Sequence, residues 1–212
     1  MEFLRRHRKS VFLLLIYLSI SLLYQWTNRP IGTVRILWTP LDDLIPFWPG
    51  FILIYHSWYP FIIAGMLMMF LRRESDFQRL ILHLIIAQLM AILIFVLFQT
   101  EVIRADITGG DVFSRLVAWT YRIDQPYNGF PSIHVLMSLI TAWYFAKTFR
   151  DKKGLAIFYV FYSDLIILST LFVKQHMVWD IPGALAVALL TYPISRWLYK
   201  ICFKEEATYG AR

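Results

Sequence analysis

The chain is poor in charge and almost without cysteine. Of its 212 residues only 17% are charged, against 58% hydrophobic and 17% aromatic, which leaves too little polar surface to cover a soluble body of that length. The single cysteine, Cys202, excludes an intramolecular disulfide and a multi-cysteine metal site. Internal repeats, low-complexity tracts and linkers are also missing, so residues 1–212 read as one integral domain.

What is present is a set of long apolar runs. Six of them, at about 10–26, 45–71, 80–99, 131–149, 155–173 and 178–199, are long enough to cross a hydrocarbon core of roughly 30 Å. They predict an all-α polytopic membrane protein with six transmembrane helices. The net charge of +7 then reads as a topology signal and not as a nucleic-acid footprint. Fifteen of the 21 Lys and Arg residues fall at one set of ends, among them Arg5, Arg72, Lys152 and Lys200, and only Arg29, Arg35, Arg104, Arg115, Arg122 and Lys174 lie opposite. The positive-inside rule places both termini in the cytoplasm of a plasma membrane protein. The first run follows basic residues but has no Ala-x-Ala cleavage site, so it reads as a retained helix.

Two short motifs stand where apolar runs meet water: Pro131-Ser132-Ile133-His134 and Lys174-Gln175-His176-Met177-Val178-Trp179-Asp180. Ionisable groups at such a boundary are costly and mark sites more often than packing. On a helix, His176 and Asp180, four residues apart, share a face. A carboxylate there can take the proton of one ring nitrogen and leave the other as nucleophile or base. The fourth run begins at Pro131 and the fifth ends near Val173, so Ser132, His134, Lys174, His176 and Asp180 all fall on the extracytoplasmic side, where one active site can contain them. No carboxylates cluster there at metal-ligand spacing, and neither a metal nor another cofactor is expected.

The same side carries the two longest stretches between runs. Residues 27–44 lead into Ile45-Pro46-Phe47-Trp48-Pro49-Gly50, whose prolines and glycine suit a broken helix entrance. Residues 100–130 contain an amphipathic segment, 111–121, expected to lie in the interface with Val112, Leu116, Val117 and Trp119 in lipid, while Arg115 and Arg122 snorkel. Trp26, Trp38, Trp48, Trp58, Trp119 and Trp179 form an expected aromatic belt. His56 and His83 read as packing or interhelical hydrogen-bonding residues. Asp164, midway along the fifth run, is expected to hydrogen-bond to a neighbouring helix.

With their order and topology, Pro-Ser-x-His at 131–134 and His-x-x-x-Asp at 176–180 resemble the second and third signature motifs of the type 2 phosphatidic acid phosphatase superfamily. The runs at 45–47, 55–60, 127–134 and 169–176 look closest to the branch that includes inositol phosphorylceramide synthases. Arg104 is the best match to the arginine of the superfamily's first motif, with Arg122 as a nearby substitute. Leu97 and Ala105 replace that motif's lysine and proline, Ile133 the glycine of the second motif, and Thr170 the arginine of the third, near which Lys174 supplies a cation. The resemblance implies that His176 attacks the lipid phosphorus to give a phosphohistidine, Asp180 orients it, and His134 protonates the leaving oxygen. Cations and amides must surround the phosphate oxygens, and Lys174, Ser132, Arg104 and Arg122 are the candidates. The expected function is therefore a metal-independent phosphatase hydrolysing a lipid phosphate or diphosphate ester within the bilayer. The alternative is a phosphotransferase moving a phospho-headgroup to an alcohol acceptor, in the manner of inositol phosphorylceramide or sphingomyelin synthases. A non-enzymatic lipid transporter or scaffold is the third reading.

Overall fold

A computed structural model describes residues 2–203, which are helical apart from loops and isolated β-bridges. Lys204 and Arg212, counted in the charge asymmetry, lie outside the described residues. In chain order the helices are α1 (Glu2–Arg6), α2 (Arg8–Thr27), α3 (Pro40–Leu44), α4 (Ile52–His56), α5 (Trp58–Arg72), α6 (Glu74–Leu97), α7 (Val112–Ile123), α8 (Ile133–Thr148), α9 (Lys153–Phe172) and α10 (Asp180–Phe203), with a 3-10 turn at Pro49–Phe51 before α4.

Five helical stretches are long and apolar enough to cross a membrane: Arg8–Thr27, Pro49–Arg72, Glu74–Leu97, Lys153–Phe172 and Asp180–Phe203. They mark a membrane protein and match five of the six apolar runs. The remaining run, the fourth, became α8, whose 16 residues span only about 24 Å. It packs against α5, α6, α9 and α10 at once, and 12 of its 16 residues are buried. Such a sheathed helix is apolar on every side, which is the pattern of a core helix. Phe145 of α8 stacks on Tyr159 of α9 with centroids 3.8 Å apart, and the Tyr159 hydroxyl donates to the Phe61 carbonyl of α5 at 2.6 Å.

The 45–71 run starts its helix late. Pro46 and Pro49 disfavour helical backbone before them, so residues 45–48 are not helical, and the Trp48 amide donates to the Phe172 carbonyl at the end of α9 (2.9 Å). The 80–99 run stops at Leu97, because Thr100 is drawn into bridges with Arg35 and Asn128. Above α10, Phe130 lies so close to Gly183 that a Cβ there would sit 2.2 Å from its ring.

Three expectations are corrected. In α7, Val112 and Trp119 are exposed as an interfacial face requires, but Val117 is fully buried against Ile52, Tyr55 and Val173, with Leu116 packed beside it. The reason is that α7 lies on α4 and the 3-10 turn instead of floating in lipid. Trp58 does not join a belt; it is buried against the ring of His134. Asp164 forms no hydrogen bond or ion pair with the described residues. It is exposed on the α9 face of Ile157, Phe161 and Leu168, because α9 turns Ser163, Ile166 and Ile167 inward. The two packing histidines bond between helices: His56 Nε2 to Thr120 Oγ1 at 2.8 Å, and His83 Nε2 to Thr191 Oγ1 and the Ala188 carbonyl at 3.1 Å each.

Candidate active site

His176 is placed by the way α9 ends. The Lys174 amide donates to the Leu171 carbonyl and the Gln175 amide to the Thr170 carbonyl, a Schellman closure. The His176 amide also donates to Thr170, at 3.2 Å. The closure puts Lys174 at φ 50°, the left-handed region that favours glycine. A lysine stands there for its side chain: Nζ donates to the carbonyls of Asp42 and Ile45 at 2.7 and 2.6 Å. Burial lowers its ammonium below the usual lysine range, while Asp42 and Asp43 oppose that shift. The Asp42 carboxylate in turn accepts from the Val178 amide at 2.8 Å. Lys174 thus clasps the 42–45 segment to the His176 loop, and the structure engages its ammonium with carbonyls. Lys174→Ala is expected to lower stability by about 1–3 kcal/mol through the lost charge-assisted bonds. Lys174→Gly should lose less, because glycine adopts the left-handed backbone freely. Thermal unfolding in detergent checks that order.

The expected contact of His176 with Asp180 is present, but a turn makes it. His176 precedes α10, and Asp180 opens that helix. His176 Nδ1–H donates to Asp180 Oδ2 at 3.0 Å, and the Met177 amide donates to the same oxygen at 2.9 Å. With Nδ1 engaged, Nε2 is the nitrogen left to act. The Ser132 amide donates to the Asp180 carbonyl at 3.4 Å, so the starts of α8 and α10 meet. Ser132 Oγ caps α8 by accepting from the Val135 amide at 3.2 Å. In the first turn of α8, the His134 ring lies 5.8 Å from that of His176, at an interplanar angle of 60°. Tyr55 and Trp58 flank His134 at 4.5 and 4.6 Å. Both imidazoles are nearly enclosed, 8% exposed at His134 and 7% at His176.

Arg104 reaches the same loop from residues 100–130. Nη1 donates to the Tyr121 carbonyl at 2.7 Å, and Nη2 to Gln175 Oε1 at 2.9 Å and to the Asp124 carbonyl. Its Nε–H is buried without a partner among the described residues, as are Gln175 Nε2 and His134 Nδ1. Asp124, beside it, accepts from Asn28 Nδ2 at 2.7 Å and from the hydroxyls of Tyr24 at 3.1 Å and Tyr55 at 3.5 Å. Burial pushes the Asp124 carboxyl up despite those bonds and the nearby Arg104 and His176. Arg122 is not brought to the histidines; it is exposed and its Nε bonds the Ala118 carbonyl of its own helix at 3.4 Å. Sequence reasoning missed Gln175, Asp124 and Trp58 as neighbours of the site. Gln175 had one available signal, its place between Lys174 and His176. Among the described residues no three His, Cys, Asp or Glu side chains converge as metal ligands do.

The profile of the PAP2 superfamily matches residues 49–194, from the 3-10 turn through both histidine motifs into α10. The chain belongs to that superfamily, whose members are generally phosphoesterases acting in phosphatase or phosphotransferase chemistry on lipid phosphates. No curated protein and no solved structure matches it.

Proposed function

We propose that the chain hydrolyses a lipid phosphate or diphosphate ester through a phosphohistidine at His176. The observation that carries this reading is the imidazole pair at 5.8 Å, with Asp180 holding Nδ1 of one member. In the first step His176 Nε2 attacks phosphorus and the bond from phosphorus to the ester oxygen breaks, that oxygen taking a proton from His134, whose buried imidazole the phosphate anion must hold in the protonated form. In the second step water attacks phosphorus, the phosphorus–nitrogen bond breaks, and the water proton returns to His134. Arg104 Nε and Gln175 Nε2, buried donors without partners among the described residues, are available to the phosphate oxygens. Ser132 contributes by fixing the first turn of α8. Lys174 contributes by holding the loop, and Arg122 has no part.

Transfer to an alcohol acceptor, as in the inositol phosphorylceramide synthase branch, is the second reading. The near-complete burial of both imidazoles favours it, since it restricts the approach of bulk water. Incubating the purified protein with phospholipids and polyprenyl phosphates, with and without alcohol acceptors, tests both by mass spectrometry. Phosphate release supports hydrolysis and a new phosphodiester supports transfer; inertness toward the whole panel removes both.

We also infer that α8 makes a sixth crossing of the plasma membrane, with both termini cytoplasmic and the histidines outside, from the charge asymmetry. Gly110 and Gly154 are exposed with open space where a Cβ would go. In a Cys202→Ser background, an impermeant thiol reagent added to intact cells is expected to label Gly110→Cys and to spare Gly154→Cys. The reverse pattern would invert the topology.

A further inference from the structure

At the end of the bundle away from the histidines, α6, α8 and α10 line a half-open cavity of about 460 Å³, within the size range of small-ligand sites. Among the described residues, four cations line it, Arg79, Lys147, Arg196 and Lys200, and one carboxylate, Asp76. That carboxylate is already engaged by Arg79 at 2.8 Å and by the Thr148 hydroxyl at 3.1 Å. Basic residues are ordinary at one face of a membrane protein, and snorkelling side chains spread outward to meet many lipids. These converge from three helices on one cavity. Arg196 and Lys200 stand one turn apart on α10, a spacing at which like charges repel, and neither forms an ion pair among the described residues. Lys147 is steered by aromatic faces, 4.2 Å over Trp143 and 5.6 Å over Tyr192, and Arg79 lies 4.7 Å over Tyr199. Cation–π contacts orient these charges without cancelling them. Tyr144, Tyr192 and Ser195 add hydroxyl-bearing walls.

We infer that this cavity is a second binding site, separate from the histidines, for a phosphate-bearing anion, supplied by an anionic lipid headgroup or by free phosphate. Lys147 stands thirteen positions beyond His134 on α8, about 20 Å along the helix, so an occupant of one site does not reach the other. Tetrahedral oxygens placed among the four cations relieve the Arg196 and Lys200 repulsion and accept from the tyrosine hydroxyls. The site does not depend on the proposed reaction.

The test uses the full chain in phosphatidylcholine nanodiscs, with and without phosphatidylglycerol, and counts retained lipids by native mass spectrometry. Inorganic phosphate is titrated separately while the melting temperature is followed. The wild type and His176→Ala are expected to retain phosphatidylglycerol alike. The Lys147→Gln/Arg196→Gln/Lys200→Gln variant should bind it about a hundredfold more weakly, from the loss of three surface cations. Lys147→Arg/Lys200→Arg keeps the charge, should keep the binding, and controls for folding. Stabilisation of the wild type by inorganic phosphate without lipid retention would assign the site to the soluble anion. Equal lipid retention by the wild type and the triple variant overturns the proposal, as does indifference of the wild type to both probes.

Discussion

His176→Ala is expected to abolish turnover on any lipid phosphate while leaving the melting temperature near that of the wild type. The side chain is held by a single hydrogen bond to Asp180, and the loop that carries it is fixed by backbone bonds to Thr170 that alanine retains. Without a nucleophile the covalent step cannot begin, and bound phosphate would be exposed only to slow direct attack. Asp180→Asn should behave differently. The amide keeps the size of the group but can present its NH2 where Nδ1–H now donates, so the ring loses its fixed tautomer and the imidazolium its counter-charge. In a hydrolase triad that change costs on the order of 10⁴-fold in kcat, and a similar fall, short of zero, is expected here. Asp180 also accepts from the Met177 amide, so some of the effect should appear as lost stability. Single-turnover kinetics with a radiolabelled lipid phosphate separates the two variants. Normal phosphoenzyme formation in His176→Ala would end the mechanism.

Gly183→Ala should damage the fold more than any other one-carbon change in α10. Its Cβ would lie 2.2, 2.6 and 2.8 Å from three atoms of the Phe130 ring, well inside van der Waals contact, and overpacking of a dense interior costs typically 1–3 kcal/mol. Phe130 cannot withdraw easily, because its amide donates to Thr100 Oγ1 at 2.8 Å and its carbonyl side leads directly into the α8 cap. The effect is therefore expected to reach His134 and lower activity together with stability. A double-mutant cycle with Phe130→Ala identifies the cause: once the ring is gone, Gly183→Ala should cost little, leaving a coupling energy of about 1–3 kcal/mol. Additive losses would place the damage elsewhere.

The membrane helices were legible because hydropathy is a local property, summed along a run without knowledge of neighbours. Even so, the runs overstate α8 as an equal of the others, since a core helix and a lipid-facing one are both apolar. The His176 to Asp180 contact was legible from spacing, and it arises for another reason: a turn before α10 brings the ring to the carboxylate. Lys174 illustrates the limit. Its nearness to His176 suggested a phosphate ligand, but its backbone conformation and the distant carbonyls of Asp42 and Ile45 decide where the ammonium goes, and neither is encoded within a few residues. Arg104 was found by motif, while its partners Gln175 and the Asp124 carbonyl lie 71 and 20 residues away. Trp58 and Val117 were misplaced for a common reason. An amphipathic or aromatic residue at a boundary satisfies lipid and protein equally well, and only the docking of α7 on α4 and of α5 on α8 settles which it meets.

The unequal lengths of α8 and α10 have a mechanical consequence. At 24 residues α10 is about 36 Å long, half as long again as α8, yet both begin at the same level, joined by the Ser132 amide and the Asp180 carbonyl. A long helix adapts to a thinner hydrocarbon layer by tilting, whereas α8, with 12 of its 16 residues buried and little beyond Trp143 and Lys147 exposed, offers lipid a small face by which to tilt it. The imidazole spacing is set where those two helices touch, so bilayer thickness acts on it as on the short arm of a lever.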